Sequence, residues 1–227
     1  MTIYHTKWNT DQMCQRILSY TYYANIGICG YIYSFKPNHI FMIDTVGNYF
    51  LSIASNKFHY AEYLFLQNNK EIDYLSKDII HHYMDDITWI HLRSALCLVV
   101  NCYPTPHMWL FCAIALMNHA ICVKHFYSYM IGLLVTKDSF IDNKEPNNLA
   151  HMSITQTFVR FPIFVDSIII IFNTENVLIR VGMAVITLVL GLLLYIEPFY
   201  KLNHILFHFG LWGQTYVLCW ANYYNNM

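Results

Sequence analysis

The stretch VGMAVITLVLGLLL, residues 181–194, contains no charged side chain, and it decides the fold class. It is the centre of an apolar run from Asn176 to Ile196 that ends at Glu197-Pro198. An α-helix needs about 20 mostly apolar residues to cross a bilayer, so this run is long enough to be a transmembrane helix. Proline disfavours the helical conformation at the residue before it, which explains why the run ends there.

The composition of the whole chain also indicates a membrane protein. Hydrophobic residues make up 56% of the 227 residues and charged residues only 12%, whereas a water-soluble domain carries about 25% charged residues. The net charge of −1 provides no basic field for nucleic acid, so we expect membrane lipids as partners and no nucleic acid. The seven cysteines form no Cys-x-x-Cys pair, and we expect buried free thiols.

Further apolar segments of similar length lie along the chain, separated by polar or proline-containing loops. We therefore predict an all-α, multi-pass integral membrane protein of about seven transmembrane helices, folded as a single domain over residues 1–227. The count rises to eight if the short piece Phe126–Val135 is separate. Lys and Arg are spread evenly among the loops, so the orientation and the membrane stay open. The segments are Ile17–Phe35, His39–Leu66, Ile79–Cys102, His107–Val123, Ile154–Phe172 and Lys201–Ala221.

The last predicted helix carries two histidines four residues apart, His204 and His208. Residues at this spacing lie on one helix face with their Cβ atoms about 5–6 Å apart. Two imidazoles placed in this way can bind one metal ion. Two histidines that are only hydrogen-bonded to neighbours have the same spacing, so the pair alone leaves both interpretations open.

Two other predicted helices carry polar side chains that are destabilising in a bilayer. Ser55 and His59 are four residues apart near the end of the second helix, and Asp85 and Asp86 lie near the start of the third. Ionisable residues inside a membrane tend to face the protein interior and to have a function, whereas an aspartate in the headgroup layer is simply solvated. Together with the pair in the last helix, three helices each offer a ligand-type group near one end, and histidines with or without a carboxylate are a zinc-type ligand set.

The order of these motifs resembles the CREST superfamily of seven-helix membrane proteins. It joins the alkaline ceramidases, the adiponectin and progestin receptors with the bacterial hemolysin III proteins, and the myomaker-type proteins. Ser55-Asn-Lys-Phe-His59 is similar to the superfamily's Ser-x-x-Phe/Tyr-His, and Met84-Asp-Asp-Ile87 resembles the ceramidase Leu-Asp-Glu-Leu. His204-Ile-Leu-Phe-His208, which glycines follow, resembles the final helix of the ceramidases.

The resemblance implies a zinc-dependent hydrolase that acts on ceramide-like lipid amides inside the membrane. Asp85 would be the catalytic base, and Ser55 would donate a hydrogen bond to the developing oxyanion. Asp85 fits the ceramidase motif better than Asp86, and the sequence leaves the choice between them open. The resemblance implies three ligands for Zn²⁺: His59, His204 and His208.

Two other functions remain open at the level of the sequence. Myomaker-type proteins and several receptors of the superfamily are not established as catalysts by this likeness, so the zinc would be structural in a non-catalytic member. A transporter or scaffold without any metal is the remaining possibility. A metal measurement separates the last from the other two, and lipid hydrolysis separates the catalytic member from the non-catalytic one.

Overall fold

The computed structural model describes residues 2–35, 39–68, 76, 79–102, 105–139, 164–196 and 201–225. These residues form α-helices, with no β-strand among them, which confirms the all-α fold class. A 3-10 turn, Pro106–Met108, precedes the fifth helix. The helices are α1 (Thr2–Thr21), α2 (Tyr23–Tyr33), α3 (His39–Gln67), α4 (Ile80–Cys102), α5 (Trp109–Ser139), α6 (described over Phe164–Asn173), α7 (Val177–Ile196) and α8 (Lys201–Asn225).

Three helix boundaries differ from those predicted. The segment Ile17–Phe35 is not one helix, because it is divided at Tyr22 between the end of α1 and α2. Helix α5 continues to Ser139, so the piece Phe126–Val135 is not a separate segment; no proline interrupts the chain there, and two polar residues do not stop a helix. Helix α1 begins at Thr2 instead of Ile17, because a polar segment also becomes helical where one face packs on a neighbour. Of the predicted segment Ile154–Phe172, the first ten residues lie outside the described residues.

Helices α3 and α8 hold the bundle together. Helix α3 packs against α1, α2 and α4, and α8 packs against α1, α2, α4 and α7 and also contacts α3. Helix α5 lies against α4. The largest apolar cluster contains side chains from all five of the helices α4, α5, α6, α7 and α8. Its members include one buried residue from each helix: Leu98, Ala115, Ile170, Met183 and Leu218.

The connection between α6 and α7 shows how polar side chains close the helix ends. Asn176 caps α7, because its Oδ1 accepts hydrogen bonds from the backbone N–H groups of Leu178 and Ile179 at 3.0 and 3.2 Å. The Arg180 guanidinium donates two hydrogen bonds to the Thr174 carbonyl oxygen, at 2.6 and 3.1 Å. The connection can therefore be only three residues long.

The seven cysteines are free and buried, as predicted. Three of them, Cys97, Cys102 and Cys112, belong to the largest apolar cluster. The sulfur atoms of Cys29 and Cys219 approach to 3.5 Å and join α2 to α8. In these positions the thiols act as small apolar side chains that let helices pack closely.

Helix α3 is polar on its buried face and apolar on its exposed face, which is the reverse of a helix on the surface of a water-soluble protein. Its buried polar residues recur every three or four positions, the period of one helix face. They are Asp44, Asn48, Ser52, Ser55, His59 and Glu62. The exposed large apolar side chains of the same helix are Met42, Ile43, Val46, Tyr49, Phe50, Tyr60 and Leu64; Lys57 and Gln67 are exposed as well.

Among the described residues, one helix is long and apolar enough to cross a membrane. It covers Pro106–Gly132, 27 residues with a mean hydropathy of 1.4, and only 22% of its most apolar part is buried inside the protein. Two shorter apolar helices cover Phe164–Asn173 and Val177–Leu193. Helices α3 and α4 are long enough, but their polar residues lower their hydropathy. The fold class is confirmed, and the multi-pass arrangement stays a prediction.

Candidate metal centre

Three histidines predicted from the sequence meet where α3 lies beside α8. His59 comes from α3, and His204 and His208 come from α8; we call them the three-histidine centre. One ring nitrogen of each residue lies within 4.8 Å of the others. The His59 ring centroid is 5.3 Å from that of His204 and 5.4 Å from that of His208. The predicted convergence of the three side chains is confirmed.

The partner of His208 determines which of its nitrogens carries the hydrogen. The Thr21 hydroxyl donates its proton to the Leu18 carbonyl oxygen at 2.8 Å. The Thr21 oxygen is therefore the acceptor for His208 Nδ1, which lies 2.6 Å away. With its hydrogen on Nδ1, His208 keeps a lone pair on Nε2, and this nitrogen is 3.1 Å from His204 Nε2.

His59 is oriented by two acceptors. Its Nδ1 lies 2.7 Å from Glu62 Oε2 and 3.0 Å from Gln15 Oε1. A carboxylate oxygen and an amide oxygen both accept hydrogen bonds, so Nδ1 carries the hydrogen and Nε2 has the lone pair. The side chains of His59 and Glu62 are each only 3% exposed, so water does not compete for this bond.

This set of donors fits a zinc ion. Metal-binding histidines almost always donate their second ring N–H to a carboxylate or another acceptor, as His59 and His208 do here. Tetrahedral zinc with ligand bonds of 2.0–2.1 Å places two nitrogens about 3.3 Å apart, close to the 3.1 Å between His204 Nε2 and His208 Nε2. Three protein ligands also leave a fourth position for water or substrate, as in catalytic zinc sites.

The two adjacent aspartates of α4 have different surroundings. Asp85 is exposed, whereas Asp86 is 5% exposed. Successive side chains on an α-helix point about 100° apart, so only one of the two can face the interior. The structure places Asp86 there, near Ser55 and Glu62 of α3. The motif comparison favoured Asp85 because a short motif does not show which of two neighbours faces α3.

Ser55 lies one helical turn before His59, on the same face of α3, and is 1% exposed. Ser55 interacts with Asp86 across the contact between α3 and α4, and neither its hydroxyl oxygen nor the buried Asp86 Oδ1 atom has a hydrogen bond of normal geometry among the described residues. Buried polar atoms nearly always have a partner. These two atoms can therefore satisfy a ligand or a water molecule that enters beside the three-histidine centre.

The residues that orient the histidines were not identified from the sequence. Glu62 had a signal, because it follows His59 by three residues on one helix face. Gln15 and Thr21 belong to α1, and their contacts with α3 and α8 depend on helix packing that one sequence does not reveal. The same holds for Tyr22, whose ring meets that of His208 edge to face with centroids 4.6 Å apart.

Replacing Glu62 with Gln is expected to weaken zinc binding about 10- to 100-fold. Glutamine can still accept the hydrogen bond from His59 Nδ1, but it lacks the negative charge that makes the imidazole a better ligand. A competition titration against a zinc-chelating dye measures the change. Glu175→Gln, at an exposed acidic residue, is the matched control. Equal affinity in the Glu62 variant and the parent would show that Glu62 does not support the ligand.

The oriented imidazoles, the buried Asp86 carboxylate and the Ser55 hydroxyl beside it lie together where α3 meets α4 and α8. No protein-family model, no curated protein and no solved structure matches the chain.

Proposed function

We propose that this chain is a multi-pass membrane protein that binds Zn²⁺ at the three-histidine centre and hydrolyses a lipid amide there. The observation that carries the proposal is the orientation of the imidazoles. His59 and His208 each hold their Nδ1–H on an acceptor, and so keep Nε2 for a metal. The lipid amide as substrate class comes from the resemblance to the alkaline ceramidases.

The exposed side chains support the membrane part of the proposal. On α7, Leu178 is 83% exposed and Leu188 is 70% exposed, and on α5 Leu110 and Met117 exceed 60%. Continuous apolar surface of this kind is unfavourable in water. Helices whose backbone groups are satisfied internally, with apolar side chains outside and polar side chains inside, are what a bilayer favours. Helix α3 has this distribution between Met42 and Leu64, with Lys57 as an exposed charged side chain.

The zinc ion would act as a Lewis acid on a water molecule at its fourth position. The chain's own residues supply the rest of the chemistry. Asp86 accepts a proton from the attacking water and later returns it to the leaving amine as the C–N bond breaks. Ser55 donates a hydrogen bond to the carbonyl oxygen as negative charge develops on it. The products are a fatty acid and a free amine. Asp86 takes the role expected of Asp85, because Asp86 is the buried one.

A non-catalytic protein with a structural zinc uses the same ligands. The centre joins α3 to α8, and the hydrogen bond between Thr21 and His208 adds α1. An ion that links helices in this way stabilises the fold whether or not a reaction takes place. A structural-zinc protein would differ from the proposed hydrolase in one respect, because it would not hydrolyse a lipid amide.

The proposal is tested by measuring zinc content and lipid amide hydrolysis on the same purified protein in detergent micelles. We expect about one zinc ion per chain and release of fatty acid from a labelled ceramide. Release should stop with a chelator and return when zinc is added. A purified chain without metal would rule out the zinc centre. A zinc-loaded chain that releases no fatty acid would rule out the hydrolase and favour the structural role.

A further inference from the structure

A second group of buried polar side chains links α4, α5 and α6, and shares no residue with the three-histidine centre. His91 Nδ1 lies 3.0 Å from His119 Nδ1. His119 Nε2 lies 2.7 Å from Asp166 Oδ2. All three side chains are at most 4% exposed. We call these three residues the histidine–aspartate chain. Ser94 on α4 donates a further hydrogen bond to the same carboxylate oxygen.

The carboxylate at one end fixes the position of each hydrogen. Asp166 accepts hydrogen bonds, so His119 donates from Nε2 and keeps a lone pair on Nδ1. That lone pair accepts the Nδ1–H of His91. His91 therefore has its lone pair on Nε2, and this atom is buried without a partner among the described residues. The histidine–aspartate chain therefore has a free proton acceptor, His91 Nε2, at one end and the Asp166 carboxylate at the other.

A small cavity borders the Asp166 end, between α4, α6 and α8, with room for about one water molecule. Arg93, Asp166 and Gln214 are among the residues that line it. In the described part of the chain, Arg93 Nε lacks an acceptor, and Asp166 Oδ1 and Gln214 Oε1 lack donors. A water molecule in the cavity would accept from the arginine and donate to both oxygens. Three hydrogen bonds of this kind are typical of a buried water.

We propose that the histidine–aspartate chain is a reversible proton relay that carries one proton from His91 Nε2 to the Asp166 carboxylate beside this cavity. A proton binds to His91 Nε2, the Nδ1 proton of His91 moves to His119 Nδ1, and the Nε2 proton of His119 moves to Asp166 Oδ2. Both imidazoles end neutral with their tautomers exchanged, and the carboxylate becomes a neutral acid. The summed charge of the two imidazoles and the Asp166 carboxylate changes from −1 to 0.

The surroundings favour this relay over other routes. Chains of aspartate and histidine side chains inside membrane proteins are typical of proton relays. His119 is the titratable group that interacts with His91. Besides His119, the titratable groups that interact with Asp166 are three cysteine thiols of α4 and α5, Cys97, Cys102 and Cys112. Arg93 lines the cavity but also interacts with Asp44 of α3, which balances its charge.

The test is ¹⁵N NMR of the imidazole rings and infrared difference spectroscopy on the full-length protein in lipid bilayers, at mildly alkaline and mildly acidic pH. On acidification we expect His91 to change from the Nδ1–H to the Nε2–H tautomer and His119 to change in the opposite sense. A carboxylic acid C=O band should appear and be absent in Asp166→Asn. Unchanged tautomers, or doubly protonated histidines beside an ionised Asp166, would overturn the proposal.

Two controls keep the test specific. Ser94→Ala removes a hydrogen bond to Asp166 but no atom of the relay, so the tautomer exchange should persist. His125→Gln, at an exposed position of α5, should leave both signals unchanged. If Asp166→Asn does not fold, His91→Gln gives the same answer, because it removes the proton's point of entry. A C=O band of parental size in His91→Gln would refute the relay. All readouts are independent of zinc and of lipid hydrolysis.

Discussion

Replacing His208 with Ala should abolish stoichiometric zinc binding and lower the thermal unfolding temperature of the protein. The variant keeps only His59 and His204 as ligands, from two different helices. Metal that binds the folded state alone stabilises it by about 4 kcal/mol when free zinc is 1,000 times its dissociation constant. The variant loses this stabilisation. Elemental analysis measures the zinc content, and unfolding curves with and without a chelator measure the stability.

The loss of stability has a second part that does not depend on metal. His208 is buried and donates its Nδ1–H to the Thr21 oxygen at 2.6 Å, so its removal also takes away a hydrogen bond between α1 and α8. The chelator separates the two parts. It should lower the unfolding temperature of the parent and leave that of His208→Ala unchanged, because the variant has no metal to lose.

His107→Ala is the matched control for this experiment, since His107 is exposed in the turn before α5. It should keep its zinc and respond to the chelator as the parent does. A His208→Ala protein that still holds one zinc per chain, or gains as much stability from added zinc as the parent, would place the metal elsewhere. The same zinc loss with unchanged lipid hydrolysis would separate the metal from the reaction.

The pair His204 and His208 could be predicted from local spacing, because the two residues are one helical turn apart. His59 was indicated by the resemblance of the motif order and not by its spacing from Ser55, which is a weak signal alone. Helix limits that lie at prolines or polar turns were predictable, such as the end of α7 before Glu197-Pro198, whereas the start of α1 and the end of α5 were not. Membrane crossing is harder to read from hydropathy, because the polar residues buried on α3 dilute the apolar signal of that helix.

Apart from the meeting of α3 and α8 at the three-histidine centre, which the resemblance indicated, side-chain contacts between distant helices could not be predicted. The histidine–aspartate chain joins residues that are 28 and 47 positions apart along the sequence. No periodicity within one helix relates His91 to His119 or His119 to Asp166, and each looks like an isolated polar residue in an apolar segment. Thr21 lies 187 residues from His208. Such partners become visible only when the helices are packed, because packing sets which faces meet.

The choice between Asp85 and Asp86 bears directly on the reaction. Both sequence motif and helix position are compatible with either residue, and burial separates them: Asp86 is 5% exposed and lies near Ser55 and Glu62, whereas Asp85 is exposed. A general base must reach the proton that it accepts. In the proposed mechanism the substrate lies beside α3 and α8, so the exposed Asp85 on the outer side of α4 is not expected to reach it.

Replacing Asp86 with Asn should therefore reduce lipid amide hydrolysis by about 10²- to 10⁴-fold, because an amide cannot accept the proton from the attacking water. Zinc content should be unchanged, since Asp86 is not one of the three histidine ligands. Asp85→Asn is the matched control, and it should hydrolyse the lipid at the parental rate. Initial rates and metal content measured on the same preparations decide the outcome. Parental turnover in Asp86→Asn would exclude Asp86 as the base, and a loss confined to Asp85→Asn would return that role to the residue that the motif favoured.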